Sequence, residues 1–256
     1  MIQLKDQMGS LLSFKQAPLR IVSLVPSISE LIWDLDLHDE LVGVTKFCIH
    51  PKNLRKEKVT VGGTKNVKLS RLESLKPDLV IANLEENTKD EVEAIAQLFP
   101  TYVSDINTVD QMLRFINDMA LICNREKEAN EIINKINDTI SAIPSKTKKK
   151  KAIYLIWNDP FMSIGGDTFI SHMMEKVGFE NCFAKMERYP VLTNEDIKRI
   201  SPDELWLSSE PFPFKETHRD ELQNKFPDIN VRLVDGEAFS WYGSRIFKVK
   251  NYLSSF

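Results

Sequence analysis

The sequence predicts an α/β protein of two similar lobes with mostly parallel central sheets, joined by a long backbone α-helix, with a ligand cleft between the lobes. Three observations predict this fold class. Short apolar runs alternate with stretches of helical periodicity in both halves of the chain. A purely helical stretch separates the halves, and one helix–turn–strand segment recurs 125 residues later.

The first half begins with a strand that leads directly into a helix. The β-branched run at 20–25 stops at Pro26, and Ser27 and Glu30 have the spacing of a capping box for a helix that reaches Leu35. The elements predicted after this helix are strand 41–45, helix 69–75, strand 79–82, helix 89–98 and strand 101–104.

Helical periodicity then continues without a strand. Thr108 and Gln111 form a second capping box, and apolar residues recur at helical spacing up to 143. With Asn124 as its cap, residues 125–143 form one predicted helix of about 19 residues and ~28 Å. We expect this rigid backbone helix to link the two lobes.

The second half returns to β-α alternation. Its predicted elements are strand 152–157, helix 168–177, helix 195–200, strand 205–208, helix 218–226, strand 231–234 and a closing helix. Segment 72–81 has the same pattern as segment 197–206, a helix and a buried strand around a Pro-Asp turn, and the same offset carries Glu85 onto Glu210. The chain therefore divides into an N-terminal α/β lobe, linking helices and a C-terminal α/β lobe, at 1–107, 108–147 and 148–256.

The composition is that of an ordinary globular protein. With 42% apolar residues, 28% charged residues and a net charge of −3, no global basic field indicates a nucleic-acid partner. The lysine run at 148–151 is interpreted as a solvated loop before a buried strand. No stretch reaches the ~20 apolar residues of a membrane span, so no membrane insertion is expected.

The cellular location is predicted from the N-terminal stretch and the cysteines. The first 20 residues contain no apolar run of signal-peptide length. Cys48, Cys123 and Cys182 are odd in number and widely spaced, as expected of reduced thiols. We expect a cytoplasmic protein; the alternative is a periplasmic one whose leader was missed or removed.

Candidate binding residues follow the predicted strands. Ligands of open α/β sheets bind at the carboxyl ends of the strands, so the loops that follow strands should hold the functional side chains. Near the C-terminus, two adjacent aromatic residues beside a glycine are suited to a flat ligand. The residues selected in this way are Pro26, Ser27, Phe47, His50, Glu85, Phe161, Glu210, Trp241, Tyr242 and Arg245.

The motif order carries a family resemblance. Arg-Ile-Val-Ser-Leu-x-Pro-Ser-x-x-Glu is followed by Val-Gly-Val, Leu-x-Pro-Asp-Leu-Val, the long helix and Trp-Tyr-Gly-x-Arg. From Arg20 onward the chain resembles the vitamin B12 and iron-chelate substrate-binding proteins of ABC importers, the helical-backbone metal-receptor superfamily. The resemblance implies two lobes that move little and a corrinoid or other metal chelate, such as an iron-siderophore or haem, bound between them. It implies a monomer with no cofactor of its own.

The resemblance also assigns residues. Phe47, Phe161, Tyr189 and Trp241 fall where the cobalamin-binding branch places aromatic rings against the corrin, with Tyr242 beside them. Arg245, in the first turn of the last helix, would bind a carboxylate or phosphate of the ligand. Two positions depart from the pattern. Thr64 stands where cobalamin importers carry a tryptophan. For docking on an ABC-importer permease, Glu195 matches the carboxylate of the second lobe, whereas Ser70 stands at that of the first.

His50 has three possible roles: a metal ligand, axial to cobalt or iron or on bare Zn²⁺; a polar contact in the cleft; or an incidental loop residue. An enzyme of chelatase type, with His50, Glu85 and Glu210 as proton acceptors, is the competing function. A bare-metal protein and an adaptor that has lost its ligand are further alternatives. The sequence contains no nucleophile elbow, phosphate-binding glycine loop or zinc-hydrolase spacing, so we predict a binding protein and no catalytic residues.

Overall fold

The computed structural model describes residues 1–256. The chain forms two compact units. Unit 1 comprises Met1–Ile106, Asp110–Asn137 and Tyr242–Phe247, and unit 2 comprises Asn107–Val109, Asp138–Trp241 and Lys248–Phe256. No helix has the length and apolar character that crossing a membrane requires.

Unit 1 is built on a parallel sheet. Its strands and helices, with the two helices that follow them, are β1 Ile2–Lys5, β2 Leu11–Phe14, β3 Ile21–Ser23, α1 Pro26–Asp34, β4 Leu41–Val44, α2 Leu54–Glu57, β5 Val59–Thr60, β6 Gly62–Gly63, β7 Asn66–Val67, α3 Leu69–Leu75, β8 Leu79–Asn83, α4 Lys89–Ala96, β9 Thr101–Ser104, α5 Val109–Cys123 and α6 Glu126–Ala142. The order β5-β4-β3-β8-β9 forms the five-stranded sheet, and every pairing in it is parallel. Its central strands are fully buried, as expected of a parallel sheet covered on both faces.

Unit 2 has a second parallel sheet. Its elements are β10 Lys150–Leu155, β11 Trp157–Asn158, β12 Phe161–Met162, α7 Phe169–Lys176, β13 Phe179–Asn181, β14 Val191–Leu192, α8 Asn194–Ile200, β15 Glu204–Ser208, α9 Glu216–Lys225, β16 Asn230–Val234, α10 Gly236–Ser240, α11 Arg245–Lys248, which begins in unit 1, and α12 Lys250–Leu253. The order β13-β10-β15-β16 is parallel throughout, and β11, β12 and β14 form a small antiparallel sheet. The predicted α/β class with parallel sheets is confirmed.

The internal repeat is present in the structure. Helix α3 and strand β8 have bounds that, displaced by 125 residues, are those of α8 and β15. The two Pro-Asp turns also act alike. Asp78 accepts hydrogen bonds from the backbone N–H groups of Leu19 and Arg20, and Asp203 accepts one from Lys151. In each unit, the turn carboxylate therefore fastens the start of a neighbouring parallel strand.

Several predicted elements differ from the structure. The predicted capping box of Ser27 and Glu30 is wrong, because α1 begins at Pro26 and no side chain caps it. Asn124 does not cap α6; it has a φ of 53° and lies two residues before that helix. The predicted closing helix is interrupted, and Trp241 terminates α10. Helix α6 itself, predicted at 125–143, forms at Glu126–Ala142; its role as a rigid link between lobes stays a prediction.

Candidate functional site

The carboxyl ends of the unit 1 strands share one edge of the sheet. Strand β3 ends at Ser23, β8 at Asn83 and β9 at Ser104, and Pro26 and Ser27 open α1 directly after β3. Tyr242 lies among these loops, with 6% of its surface exposed. Burial, together with the Glu86 and Glu85 carboxylates, raises the pKa of Tyr242 well above its usual value, and the nearby side chains of Ser27 and Ser104 partly oppose this. Two predicted site residues, Ser27 and Tyr242, are thus brought together within unit 1.

The segment after Tyr242 is fastened to the same unit. Arg245 donates two hydrogen bonds to Glu30 of α1, at 2.9 and 3.0 Å, and the two side chains are 11% and 3% exposed. Ser244 donates to Asp34, and the Gly243 N–H donates to the Met112 sulfur at 3.0 Å. The guanidinium of Arg245 is therefore engaged by a carboxylate of its own unit. Its predicted role as an anion ligand would require the ligand to share or displace Glu30.

In the loop after β4, an exposed aromatic ring stands next to a buried cysteine. Phe47 is 49% exposed, whereas the neighbouring Cys48 is fully buried. The Cys48 thiol donates to the Ser29 hydroxyl at 3.1 Å and lies 3.3 Å from the Thr45 hydroxyl. Burial raises the pKa of this thiol, so it acts as a packed anchor and not as a nucleophile. His50, partly buried at the end of the loop, precedes a cis peptide bond to Pro51.

Thr64 is held through its backbone. Its carbonyl accepts a 2.7 Å hydrogen bond from the Asn87 amide, which also donates to the carbonyl of Leu24. The Asn87 side-chain oxygen accepts from the Asn83 N–H at the end of β8. Asn87 therefore positions three loops at the sheet edge. The site prediction omitted it, although its place in the loop after a buried strand was an available signal.

Aromatic side chains also collect at the strand ends of unit 2. Phe161 on β12 packs against the unit core, and Trp157 on β11 is 41% exposed with its ring centroid 5.7 Å from that of Phe212. Tyr189 is partly buried and Trp241 is buried. The predicted strand 152–157 included Trp157, whereas in the structure β10 ends at Leu155 and Trp157 lies in the antiparallel sheet. Trp157 was therefore missed as an exposed aromatic of this edge.

Glu210 lies at the same edge of unit 2. It accepts a 2.5 Å hydrogen bond from the Ser240 hydroxyl. Burial raises its pKa, and the hydrogen bonds from Ser240 and Trp241 only partly oppose this. The Glu210 carboxyl group thus links Trp241 to the loop after β15. This contact gives Glu210 a structural role, whereas the sequence analysis considered it as a proton acceptor of a chelatase.

Glu195 and Ser70 occupy equivalent, exposed positions in α8 and α3. Both are second residues of their helices, as the repeat requires. Docking on a permease through Glu195 stays a prediction.

No metal-binding set converges around His50. Nowhere in the chain do three or more His, Cys, Asp or Glu side chains lie close enough together to hold a metal ion. A bare-metal site of Zn²⁺ type takes three or four protein ligands. The bare-metal alternative therefore lacks its ligand set, and His50 retains only the roles of a single axial ligand, a polar contact or a loop residue.

Residues 21–227, which include the whole first parallel sheet and every strand of the second except β16, match the family described as periplasmic binding protein. The chain belongs to this family. Its members and structural neighbours are binding proteins.

The chain is 29% identical over 217 residues to an uncharacterized ABC transporter substrate-binding lipoprotein of Bacillus subtilis, covering 80% of this chain and 68% of the relative. It is 26% identical over 194 residues to the vitamin B12-binding protein of Vibrio parahaemolyticus, covering 74% and 70%. The periplasmic haem-binding protein HutB of Vibrio cholerae has the same fold, with a TM-score of 0.78, 21% identity and coverage of 93% and 98%.

Proposed function

We propose that this periplasmic binding protein binds a metal chelate of the cobalamin, haem or iron-chelate class and releases it unchanged. The observation that carries the proposal is that the Phe47 ring is exposed while the neighbouring Cys48 is buried and hydrogen-bonded. This loop lies at the edge of a parallel sheet where ligands bind. A large aromatic ring that is exposed on a fixed loop is suited to stacking against a flat macrocycle. The relatives that bind vitamin B12 and haem support this ligand class.

The contribution of such a ring is substantial. A buried aromatic side chain removes roughly 150–250 Å² from water, worth several kcal/mol at ~25 cal/mol per Å² before ordering costs. Unit 2 offers Phe161, Trp157 and Phe212 at its own strand ends. Tyr189 and Trp241 are further proposed contacts. A fixed Phe47 loop lowers the ordering cost of binding.

The test is retention of a coloured chelate. The purified protein would be incubated with aquocobalamin, cobinamide, haemin or a ferric siderophore, desalted, and examined by visible spectroscopy and thermal unfolding. A ligand at about 100 times its dissociation constant adds ~2.7 kcal/mol, which raises Tm by roughly 5–10 °C for a chain of this size. Phe47→Ala should lose the retained chelate, whereas the control Leu98→Ala, which truncates another exposed apolar residue of unit 1, should keep it.

The enzyme alternative predicts a different result. A chelatase would insert metal into a porphyrin or corrin, and His50→Ala would abolish turnover. We propose binding without turnover, since the family and its neighbours are binding proteins. Metal insertion that depends on His50 would overturn this part of the proposal.

Delivery to an ABC-importer permease and the location of the protein are separate proposals. Stimulation of a reconstituted importer, lost in Glu195→Ala, would support delivery. Fractionation of cells that express the native gene distinguishes a periplasmic importer component from the cytoplasmic protein that the sequence analysis predicts.

A further inference from the structure

One segment of unit 1 has a charge opposite to that of the protein as a whole. Residues 46–71 contain eight lysines and arginines against one acid, a net charge of +7. Because the whole chain carries −3, the rest of the chain carries −10. A cationic region of this strength attracts anions over distances of about a Debye length, ~8–10 Å at physiological salt.

Residues of this segment line a cavity of about 270 Å³ that is open to solvent. Lys46, Lys68 and Arg71 line it, together with Thr60, Asn66 and the two glycines 62 and 63. No acidic residue lines the cavity. A carboxylate or phosphate that entered it would lie beside three cationic residues and an asparagine, whose side chains are of the types that bind these groups through hydrogen bonds.

The cavity has a fixed frame. The Lys46 N–H donates to the Gly62 carbonyl at 2.8 Å, the Lys68 N–H to the Val61 carbonyl at 2.7 Å, and the Arg71 guanidinium to the Thr60 carbonyl at 2.9 Å. Gly62 has a φ of +131°, and a Cβ at this position would lie 2.3 Å from the Asn66 carbonyl oxygen, so no other residue fits. The backbone thus holds the three cationic residues around one space.

The nearby acids are engaged elsewhere. Glu57, the single acid of the segment, accepts a hydrogen bond from Asn53. Glu91 of α4 accepts from the Val67 N–H and from the Thr88 hydroxyl. Neither carboxylate neutralises Lys46 or Lys68.

The cavity adjoins the exposed aromatic ring of the proposed ligand site. The Lys46 ammonium lies 4.9 Å from the centroid of the Phe47 ring. A Cβ at Gly63 would lie 3.4 Å from both the Lys46 Cε and the Phe47 ring. A flat ligand stacked on Phe47 would therefore place the groups on its rim beside the cationic cavity.

We infer that this cavity is an anion subsite and that the chelate taken by this protein carries carboxylate or phosphate groups on its rim. The inference rests on the proposed function and narrows its ligand class. Lys46 and Lys68 bind the anionic group, Arg71 contributes charge while it holds the frame, and Phe47 takes the apolar ring beside them.

The experiment compares two variants with the same change of charge. In Lys46→Gln with Lys68→Gln, the subsite loses two cations. In the control Lys15→Gln with Lys127→Gln, two exposed lysines elsewhere in unit 1 are replaced. One arm titrates citrate and pyrophosphate, without metal or macrocycle, and the other titrates haemin and haemin dimethyl ester. Thermal unfolding without ligand verifies that each variant is folded, and the single variant Lys68→Gln, with the matched control Lys127→Gln, replaces the double variants if the subsite variant fails to fold.

We expect the subsite variant to bind haemin at least tenfold more weakly than the wild type does, with a weaker salt dependence, while the control variant is unchanged. The dimethyl ester should bind the wild type and the subsite variant equally. Equal haemin affinity in wild type and subsite variant overturns the anion subsite but leaves the proposed function standing. If no chelate binds, while citrate or pyrophosphate binds the wild type and not the subsite variant, the proposed function fails and the cavity remains an anion site.

Discussion

Lys76 and Ser201 adopt the same left-handed backbone conformation, each with a φ of 47°, although 125 residues separate them. Each terminates a seven-residue helix, α3 or α8, and precedes a Pro-Asp turn. A non-glycine residue in this conformation costs roughly 1–2 kcal/mol, because its Cβ approaches a carbonyl oxygen. Both units thus use the same strained turn to lead a helix into a buried strand.

Glycine at either turn should stabilise the protein. Lys76→Gly and Ser201→Gly remove the Cβ contact, and after the extra entropy of the unfolded glycine we expect a gain of about 0.5–1 kcal/mol each. Urea unfolding measures the change. The control Ser74→Gly, in α3, should instead lose roughly 0.5 kcal/mol, the difference in helix propensity between serine and glycine. Destabilisation at both turns would contradict the strain assigned to them.

Breaking the buried pair of Glu30 and Arg245 should destabilise unit 1 strongly. Arg245→Met leaves the Glu30 carboxylate buried without its guanidinium partner, which typically costs about 3–5 kcal/mol. The double variant with Glu30→Leu should recover much of this loss, because no charge is then left buried. Arg188→Met, which removes a largely exposed pair with Asp167, should cost at most about 1 kcal/mol. Equal effects at both sites in denaturant unfolding would show that burial does not matter here.

Glu210 should make stability fall as pH rises. Its pKa is raised in the folded state by burial, so the folded protein binds more protons than the unfolded protein above pH ~4.5. The stability due to this group is fully present below the unfolded pKa and is lost as pH rises through the folded pKa. Glu210→Gln should therefore flatten the fall in unfolding free energy as pH rises above ~4.5, whereas the exposed control Glu73→Gln should not.

The three cysteines should be unreactive in the folded protein. Burial raises the pKa of Cys48 and lifts the pKa values of Cys182 and Cys123 to about 11 and about 12. Because the thiolate is the reactive form, a disulfide reagent at pH 8 should label almost none of them within minutes. Three thiols per chain should react after unfolding in guanidinium. Rapid labelling of one thiol in the native protein would mean that its loop opens.

The local sequence pattern was sufficient to predict the bounds of elements that are delimited by their own apolar spacing and turn residues. Helix α3 and strand β9 have the predicted bounds, because apolar spacing and turn residues delimit them. The N-terminal hairpin of β1 and β2 was missed. Its turn depends on Asp6, which accepts from Met8 and Ser10 and also from Val103, 97 residues away. No local window contains that last contact.

Local sequence could not predict a residue's role where a distant partner decides it. Glu30 had the spacing of a capping residue, but Arg245 engages it from 215 positions away. The net positive charge of residues 46–71 can be counted from the sequence, but only the fold brings Lys46, Lys68 and Arg71 to the same cavity. The aromatic loops were located because strand ends can be recognised from sequence, whereas the fraction of each ring left exposed depends on packing.

In the loop after β4, the residues that fix the backbone differ from the residues that face solvent. Cys48, Ser29 and Thr45 fix the backbone from below, while Lys46, Phe47 and Ile49 project outward. Exchanging the outward residues changes what the loop can touch at little cost to folding. If the proposed function holds, designed variants of this loop could therefore change the ligand preference while the core residues stay the same.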